Sequence, residues 1–255
     1  MPIAFTRAVS PRIAECQLTH LDRVAIDAAK AAEQHTAYEQ ALRNAGLELA
    51  RLPDLPEDPD AVFVEDTAIL LGQHAIITRP GAPTRIGEIE STAAGLAGRF
   101  ELHRIENGHL DGGDVLRIGK RLYVGLSSRT DREGADALAA LARLIGFEVI
   151  AANVGACLHL KTGATFAGAD ASGTPVLLYD RDCLDASQFA DVEPLAVAEA
   201  AAANCVRAGE RLILPAGNPR TADMLRKRGF DVCEVDVSEL QKAEAGVTCM
   251  SLIGD

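Results

Sequence analysis

The chain lacks the signatures of several protein classes. Its six cysteines, Cys16, Cys157, Cys183, Cys205, Cys233 and Cys249, show no C-x-x-C spacing, and the histidines show no H-x-x-x-H. A structural zinc site and a disulfide framework are therefore not expected, and the thiols should be reduced. No run approaches the roughly 20 apolar residues needed to cross a bilayer. The first residues, Met1-Pro2-Ile3-Ala4-Phe5-Thr6-Arg7, lack a basic segment followed by an apolar stretch, so a cytoplasmic location is the expectation. Basic residues are scarce, 25 Lys and Arg against 37 Asp and Glu, for a net charge of −12. That balance argues against nucleic acid or an anionic membrane as the main partner and is compatible with a small cationic substrate. No linker or low-complexity segment marks a boundary. With 48% hydrophobic residues to build a core, residues 1–255 are expected to form a single domain.

What is present is a repeat. Short apolar strands beginning at Ala75, Arg121 and Arg211 are each followed by turn residues, a threonine (Thr84, Thr130, Thr221) and an amphipathic segment leading to another strand. The threonines are read as helix caps, and residues 135–145 as a helix feeding the strand 147–150. Spacings of 46 and 91 residues between the threonines give a period of about 45, the second interval leaving room for an unmarked unit. Extended backward, the period reaches Thr36 ahead of a helix at 37–45. The forward gap holds the strand 175–179 and an alanine-rich helix around 196–203. About five copies fit, which predicts an α/β propeller: strand-helix-strand units about a pseudo-fivefold axis, strand ends meeting in a central pocket.

Chemistry-bearing residues fall in four places. Cys249 lies near the C-terminus before an apolar run, where an unpaired cysteine is ordinarily core filling. A nucleophilic cysteine requires an imidazole from elsewhere in the chain. His159, between Leu158 and Leu160, and His109 both qualify, and spacing alone leaves both open. Glu65-Asp66 interrupts a sequence that otherwise reads as buried strand, and charge seldom enters such a run without a partner. Asp111-Gly112-Gly113-Asp114 places two carboxylates around glycines that permit close backbone approach.

Together, Val62-Phe63-Val64-Glu65-Asp66, Ile77-Thr78-Arg79-Pro80-Gly81-Ala82-Pro83, Leu110-Asp111-Gly112-Gly113-Asp114-Val115, Leu158-His159-Leu160-Lys161 and Thr248-Cys249 resemble the dimethylarginine dimethylaminohydrolase family. That family belongs to the guanidino-group-modifying, or pentein, superfamily of five-bladed α/β propellers. The likeness runs from about Leu18 to Ile253 in matching order. It implies hydrolysis of Nω-methylated arginines to citrulline and an amine, without metal or organic cofactor. Carried over, Cys249 matches the nucleophile, His159 the general acid/base, and Asp114 the carboxylate supporting the guanidinium and the histidine. Asp66 matches the second carboxylate facing the guanidinium, with Glu65 beside it. Asp60, Arg85 and Arg132 match positions holding the amino-acid end of the ligand. Leu18 falls in a mobile N-terminal loop, and Ala243 at a position that offers its carbonyl, where relatives usually carry a larger aliphatic residue. A homodimer is a further implication.

Arginine deiminases and amidine transferases share these residue types but are generally longer. A ribosome anti-association factor of the same fold would have no use for Cys249, His159 and Asp114 together, and the negative charge also disfavours it.

Overall fold

The computed structural model describes residues 2–254. Five three-stranded sheets follow one another, each with its first strand antiparallel to its second and its second parallel to its third. The first blade combines both ends of the chain. It contains β1 (Ile3–Thr6), β2 (Glu48–Arg51) and the last strand, β15 (Leu252–Gly254), which pairs with β1. The second holds β3 (Ala68–Leu71), β4 (His74–Ile77) and β5 (Glu101–Arg104), and the third β6 (Val115–Ile118), β7 (Arg121–Leu126) and β8 (Glu148–Asn153). The fourth is β9 (Ala164–Ala169), β10 (Pro175–Tyr179) and β11 (Glu193–Ala196), and the fifth β12 (Val206–Ala208), β13 (Arg211–Pro215) and β14 (Asp231–Val235). Parallel neighbours need a crossover, and helices supply four of the five: α1 (Ala28–Asn44), α2 (Glu88–Leu96), α3 (Arg132–Leu144) and α5 (Pro219–Lys227). Two single-turn helices complete the chain, α4 (Leu160–Gly163) and α6 (Ser238–Gln241).

Alternation along the middle strands explains why the blades close into a ring. In β7, Leu122 and Val124 pack into a core shared with the second blade, while Tyr123 packs into one shared with the fourth. In β10, Leu177 faces the third blade and Val176 and Leu178 face the fifth. The fifth blade's Ile213 then shares a core with Ala4 of β1 and with Tyr38 and Leu42 of α1. Each middle strand is thus buried on both faces, which is why it reads as an uninterrupted apolar run rather than an alternating one. The first strands of the blades line a central cavity of about 620 Å³.

Two expectations about the repeat fail. The threonines do not cap the helices. Asp27 and Asp131 cap α1 and α3, accepting from Ala29 and Lys30 N–H and from Gly134 N–H, while Thr36 and Thr221 lie inside α1 and α5. The alanine-rich segment is not an α-helix either: β11 ends at Ala196, and Ala200–Ala203 forms a 3-10 turn. Tertiary bonds override alanine's propensity there. Val197 N–H donates to the Tyr179 carbonyl, and the Glu199 carboxylate is held by Arg220 and Thr221 at the start of α5.

Candidate active site

The propeller gives its chemical residues equivalent stations. Asp66 sits in the 3-10 turn before β3, Asp111 opens the turn before β6, His159 caps α4 before β9, and Cys249 lies in the turn before β15. Neighbours in these turns face opposite ways. Glu65, Lys161 and Thr248 line the central cavity, whereas Asp66, His159 and Cys249 line a separate, smaller pocket of about 30 Å³. The wall between the two is polar and fully paired: Glu65 takes a salt bridge from Lys161 at 2.7 Å and a hydrogen bond from Thr248 Oγ1, and Asn204 bonds Thr248 and the Lys161 carbonyl. Glu65 therefore belongs to this wall and faces away from the pocket.

Within the pocket, His159 Nε2 lies 3.0 Å from Asp111 Oδ2, and Nδ1 lies 3.9 Å from Asp66 Oδ1. Burial alone would lower the imidazole's affinity for a proton, but Asp66, Asp114 and Asp111 outweigh it and raise its pKa to about 10. Cys249 moves the same way for different reasons. Burial, then the charges of Glu65 and Asp66, push the thiol up to about 12, although Gly246 N–H donates to the sulfur at 3.4 Å. With no cation bound, the site holds an imidazolium and a neutral thiol at pH 7. Asp66 moves down despite burial, because His159, the guanidinium of Arg85 and the N–H of Gly113 favour its charged form. The glycines serve close approach. A Cβ on Gly113 would stand 2.7 Å from both Asp66 Oδ1 and His159 Nδ1, and one on Gly112 would meet the Glu65 carbonyl at 2.0 Å.

Three residues expected in the site lie elsewhere: Glu65 in the wall just described, Asp114 and Arg132. Asp114 does not contact the histidine ring. Its carboxylate accepts from Leu160 N–H at 2.9 Å and Ser127 Oγ at 2.6 Å, tying the third blade to the turn that carries His159. Asp111 is the acid on the ring, itself oriented by Gly81 N–H and by its own N–H donating to Thr130 Oγ1. Arg132 is the exposed first residue of α3, outside the pocket. Arg129, 8% exposed, lines the pocket and donates from Nη2 to Thr19 Oγ1. The backbone bends at residues 128–129 and is extended at the Asp131 cap, with Arg129 buried before that cap and Arg132 exposed after it.

The remaining expected residues converge. Asp60 accepts from Gln17 N–H, Ala243 lines the pocket, and half-buried Leu18 packs against the cluster containing Ala243 and Cys249. Arg85 is present but fully engaged, with Glu88 as a bidentate partner, Asp66 on Nη1 and the Phe63 carbonyl on Nη2. Glu244, which sequence reasoning missed, holds residues 19–21 over the pocket by accepting from three successive backbone N–H groups. Its φ of 61° turns the chain at that point, a strained conformation that gave no sequence signal. Ligand atoms of Asp66, Asp111 and His159 lie within 4.8 Å of one another, a spacing that accommodates a cation.

These features have counterparts in known proteins. The family model for eukaryotic N,N dimethylarginine dimethylhydrolase matches residues 12–162. The chain is similar to the N(G),N(G)-dimethylarginine dimethylaminohydrolases of Pseudomonas aeruginosa, 38% identical over 89% of each chain, and Streptomyces coelicolor, 37% identical over 98% of this chain and 95% of that one. In structure it resembles a cysteine-to-serine mutant of the Pseudomonas aeruginosa enzyme complexed with citrulline, with a TM-score of 0.91, 36% identity and 98% of both chains covered. Pocket, propeller and likeness agree: the chain belongs to the dimethylarginine dimethylaminohydrolase family, within the pentein α/β propellers.

Proposed function

We propose that this protein hydrolyses Nω-methylated arginines to citrulline and methylamine or dimethylamine. The observation that carries this reading is a pocket lined by Cys249, His159 and Asp66, with Asp111 bonded to the His159 ring. A guanidinium is a planar, permanently charged cation with forked N–H donors, and carboxylates are its natural partners. Asp66, with Asp111 at the ring's far side, fixes the cation while its central carbon stays open to sulfur. As the guanidinium binds, the Cys249 thiol gives its proton to solvent, since His159 is already protonated; the thiolate then adds to that carbon, forming a C–S bond and a neutral tetrahedral adduct. His159, already an imidazolium, gives its proton to the departing amine as the C–N bond breaks, leaving an S-alkylthiouronium. Water then attacks the same carbon while neutral His159 takes one of its protons; as the C–S bond breaks, the remaining hydroxyl proton passes to the departing sulfur, leaving citrulline and the Cys249 thiol.

Arg129 and Asp60 hold the amino-acid end, with Leu18 and Ala243 closing the pocket's edge. Arg85 acts through Asp66, and Asp114 positions His159 through Leu160. The alanine at 243 leaves more room than a larger aliphatic would. The pocket, about 30 Å³, has Gln17 and Glu244 at its lining, beside the segment 19–21 that Glu244 holds. Among the described residues, no helix is long and apolar enough to cross a membrane. Six free cysteines support a reducing cytoplasm, and the homodimer of the family resemblance is checked by light scattering. The test of function is citrulline release from asymmetric dimethylarginine, monomethylarginine and arginine by metal-free enzyme. Turnover of the methylated substrates, lost in Cys249→Ser and weak for arginine, is expected; silence on all three overturns the reading.

A further inference from the structure

A second constellation lies on the middle and last strands of the second blade, among residues that do not line the pocket. Strands β4 and β5 run parallel, in a register that sets His74 opposite Glu101 and Ile76 opposite His103. Side chains alternate along a strand, so His74, Ile76, Glu101 and His103 share one face. Ile76 anchors that face in the core between the second and third blades. The imidazoles are largely sheltered, 27% and 23% exposed, while Glu101 reaches toward water. His74 Nδ1 and His103 Nε2 stand 3.1 Å apart, and the Glu101 carboxylate spans them, with Oε2 3.4 Å from the first and Oε1 3.7 Å from the second.

We propose that His74, Glu101 and His103 form a binding site for a divalent transition-metal ion of the zinc type. Two imidazoles and a carboxylate are a donor set that zinc accepts, with water completing the tetrahedron. Zinc–nitrogen bonds of about 2.0–2.1 Å at a tetrahedral angle separate the donor atoms by about 3.3 Å, so the existing spacing needs only small adjustments. Imidazole donors select zinc, copper or nickel over calcium and magnesium, which prefer all-oxygen shells. The ion takes a lone pair from each member of a close arrangement, two ring nitrogens 3.1 Å apart beside a carboxylate. Two ligands sit two residues apart on β5 and the third on its hydrogen-bonded neighbour, so the backbone already fixes their separation. Binding staples β4 to β5, and the expected consequence is stabilisation rather than inhibition.

The experiment is equilibrium dialysis of the metal-stripped full-length protein against zinc chloride, repeated with His74→Ala, His103→Ala, Glu101→Gln and Cys249→Ser. The last variant removes the pocket thiol as a competing zinc ligand. One equivalent is expected to disappear in either histidine variant and to persist in Cys249→Ser, with affinity falling roughly tenfold or more in Glu101→Gln. Citrulline release should be unchanged in the His74 and His103 variants. In the wild type, where folding is not in question, zinc should shift the NMR resonances of both imidazoles and raise the melting temperature. Unaltered stoichiometry and affinity in both histidine variants, or unmoved His74 and His103 resonances at saturation, overturns the proposal.

Discussion

Substrate binding should create the nucleophile, and the size of the effect follows from the pocket. Raising the Cys249 thiol from 9.0 to about 12 lowers the thiolate fraction at pH 8 from about one in ten to about one in ten thousand. Burial is the largest cause, and Glu65 and Asp66 add to it. A guanidinium placed about 4 Å from the sulfur acts in the opposite direction. At an effective dielectric constant near 20, that interaction contributes about 4 kcal/mol, or roughly three pH units, nearly cancelling the upward shift. The assay is the rate of iodoacetamide alkylation at Cys249, followed by mass spectrometry of its peptide, from pH 6 to 11. In the free enzyme the logarithm of the rate should climb by about one per pH unit, without a plateau in this range. With an unreactive alkylguanidine at half-saturation, the ligand-bound population should show an apparent pKa lower by up to about three units. A plateau below neutrality in the free enzyme, or an apparent pKa indifferent to the guanidinium, refutes the reasoning.

Three further outcomes separate residues that lie close in sequence. Arg129→Ala should raise KM for methylarginine at least tenfold, whereas exposed Arg132→Ala should leave KM unchanged and alter stability by less than about 0.5 kcal/mol; steady-state kinetics and urea melts check both. Asp111→Asn removes the charge on the His159 ring and should lower kcat about 100-fold or more, moving the basic limb of the pH–rate profile downward. Asp114→Asn, acting through Leu160, should give a smaller loss in kcat, and equal losses with equal profiles would show that the two acids are not distinguished as the geometry requires. His159 also couples stability to pH. Its folded pKa of about 10 exceeds the ordinary 6.5, so its stabilising contribution is complete below about pH 6.5 and is lost as pH rises through 10. Urea midpoints should therefore fall more steeply between pH 7 and 10 in the wild type than in His159→Gln, and parallel slopes would contradict the assignment.

The propeller could be read from the sequence because each middle strand is buried on both faces and the blades repeat at an even spacing. The threonines marked that spacing for a reason other than capping: Thr130 Oγ1 accepts from Asp111 N–H, Thr84 donates to Gln17, and Thr221 bonds Glu199. They tie loops between blades. The missing fourth helix was hidden because alanine's propensity speaks for helix, while the bonds that prevent it come from Tyr179, Arg220 and Thr221, distant in the chain. At the site, the sequence pointed to the Asp111-Gly112-Gly113-Asp114 turn but could not separate its acids. Three residues make one turn of 3-10 helix, yet one carboxylate bonds the histidine ring and the other the backbone beside it. The arginines at 129 and 132 raise the same difficulty, resolved only by where Asp131 starts α3. Glu244 carried no signal, since its role depends on three N–H groups more than 220 residues upstream.

The central claim is a covalent bond between Cys249 and the guanidino carbon, formed after an amine has left. Rapid acid quench of wild-type enzyme turning over monomethylarginine, followed by digestion and mass spectrometry, observes that bond directly. The Cys249 peptide should carry the mass of the substrate less methylamine, and the adduct should be absent from Cys249→Ser. Steady citrulline production with Cys249 unmodified at every quench time, or an adduct on another residue, would contradict the account.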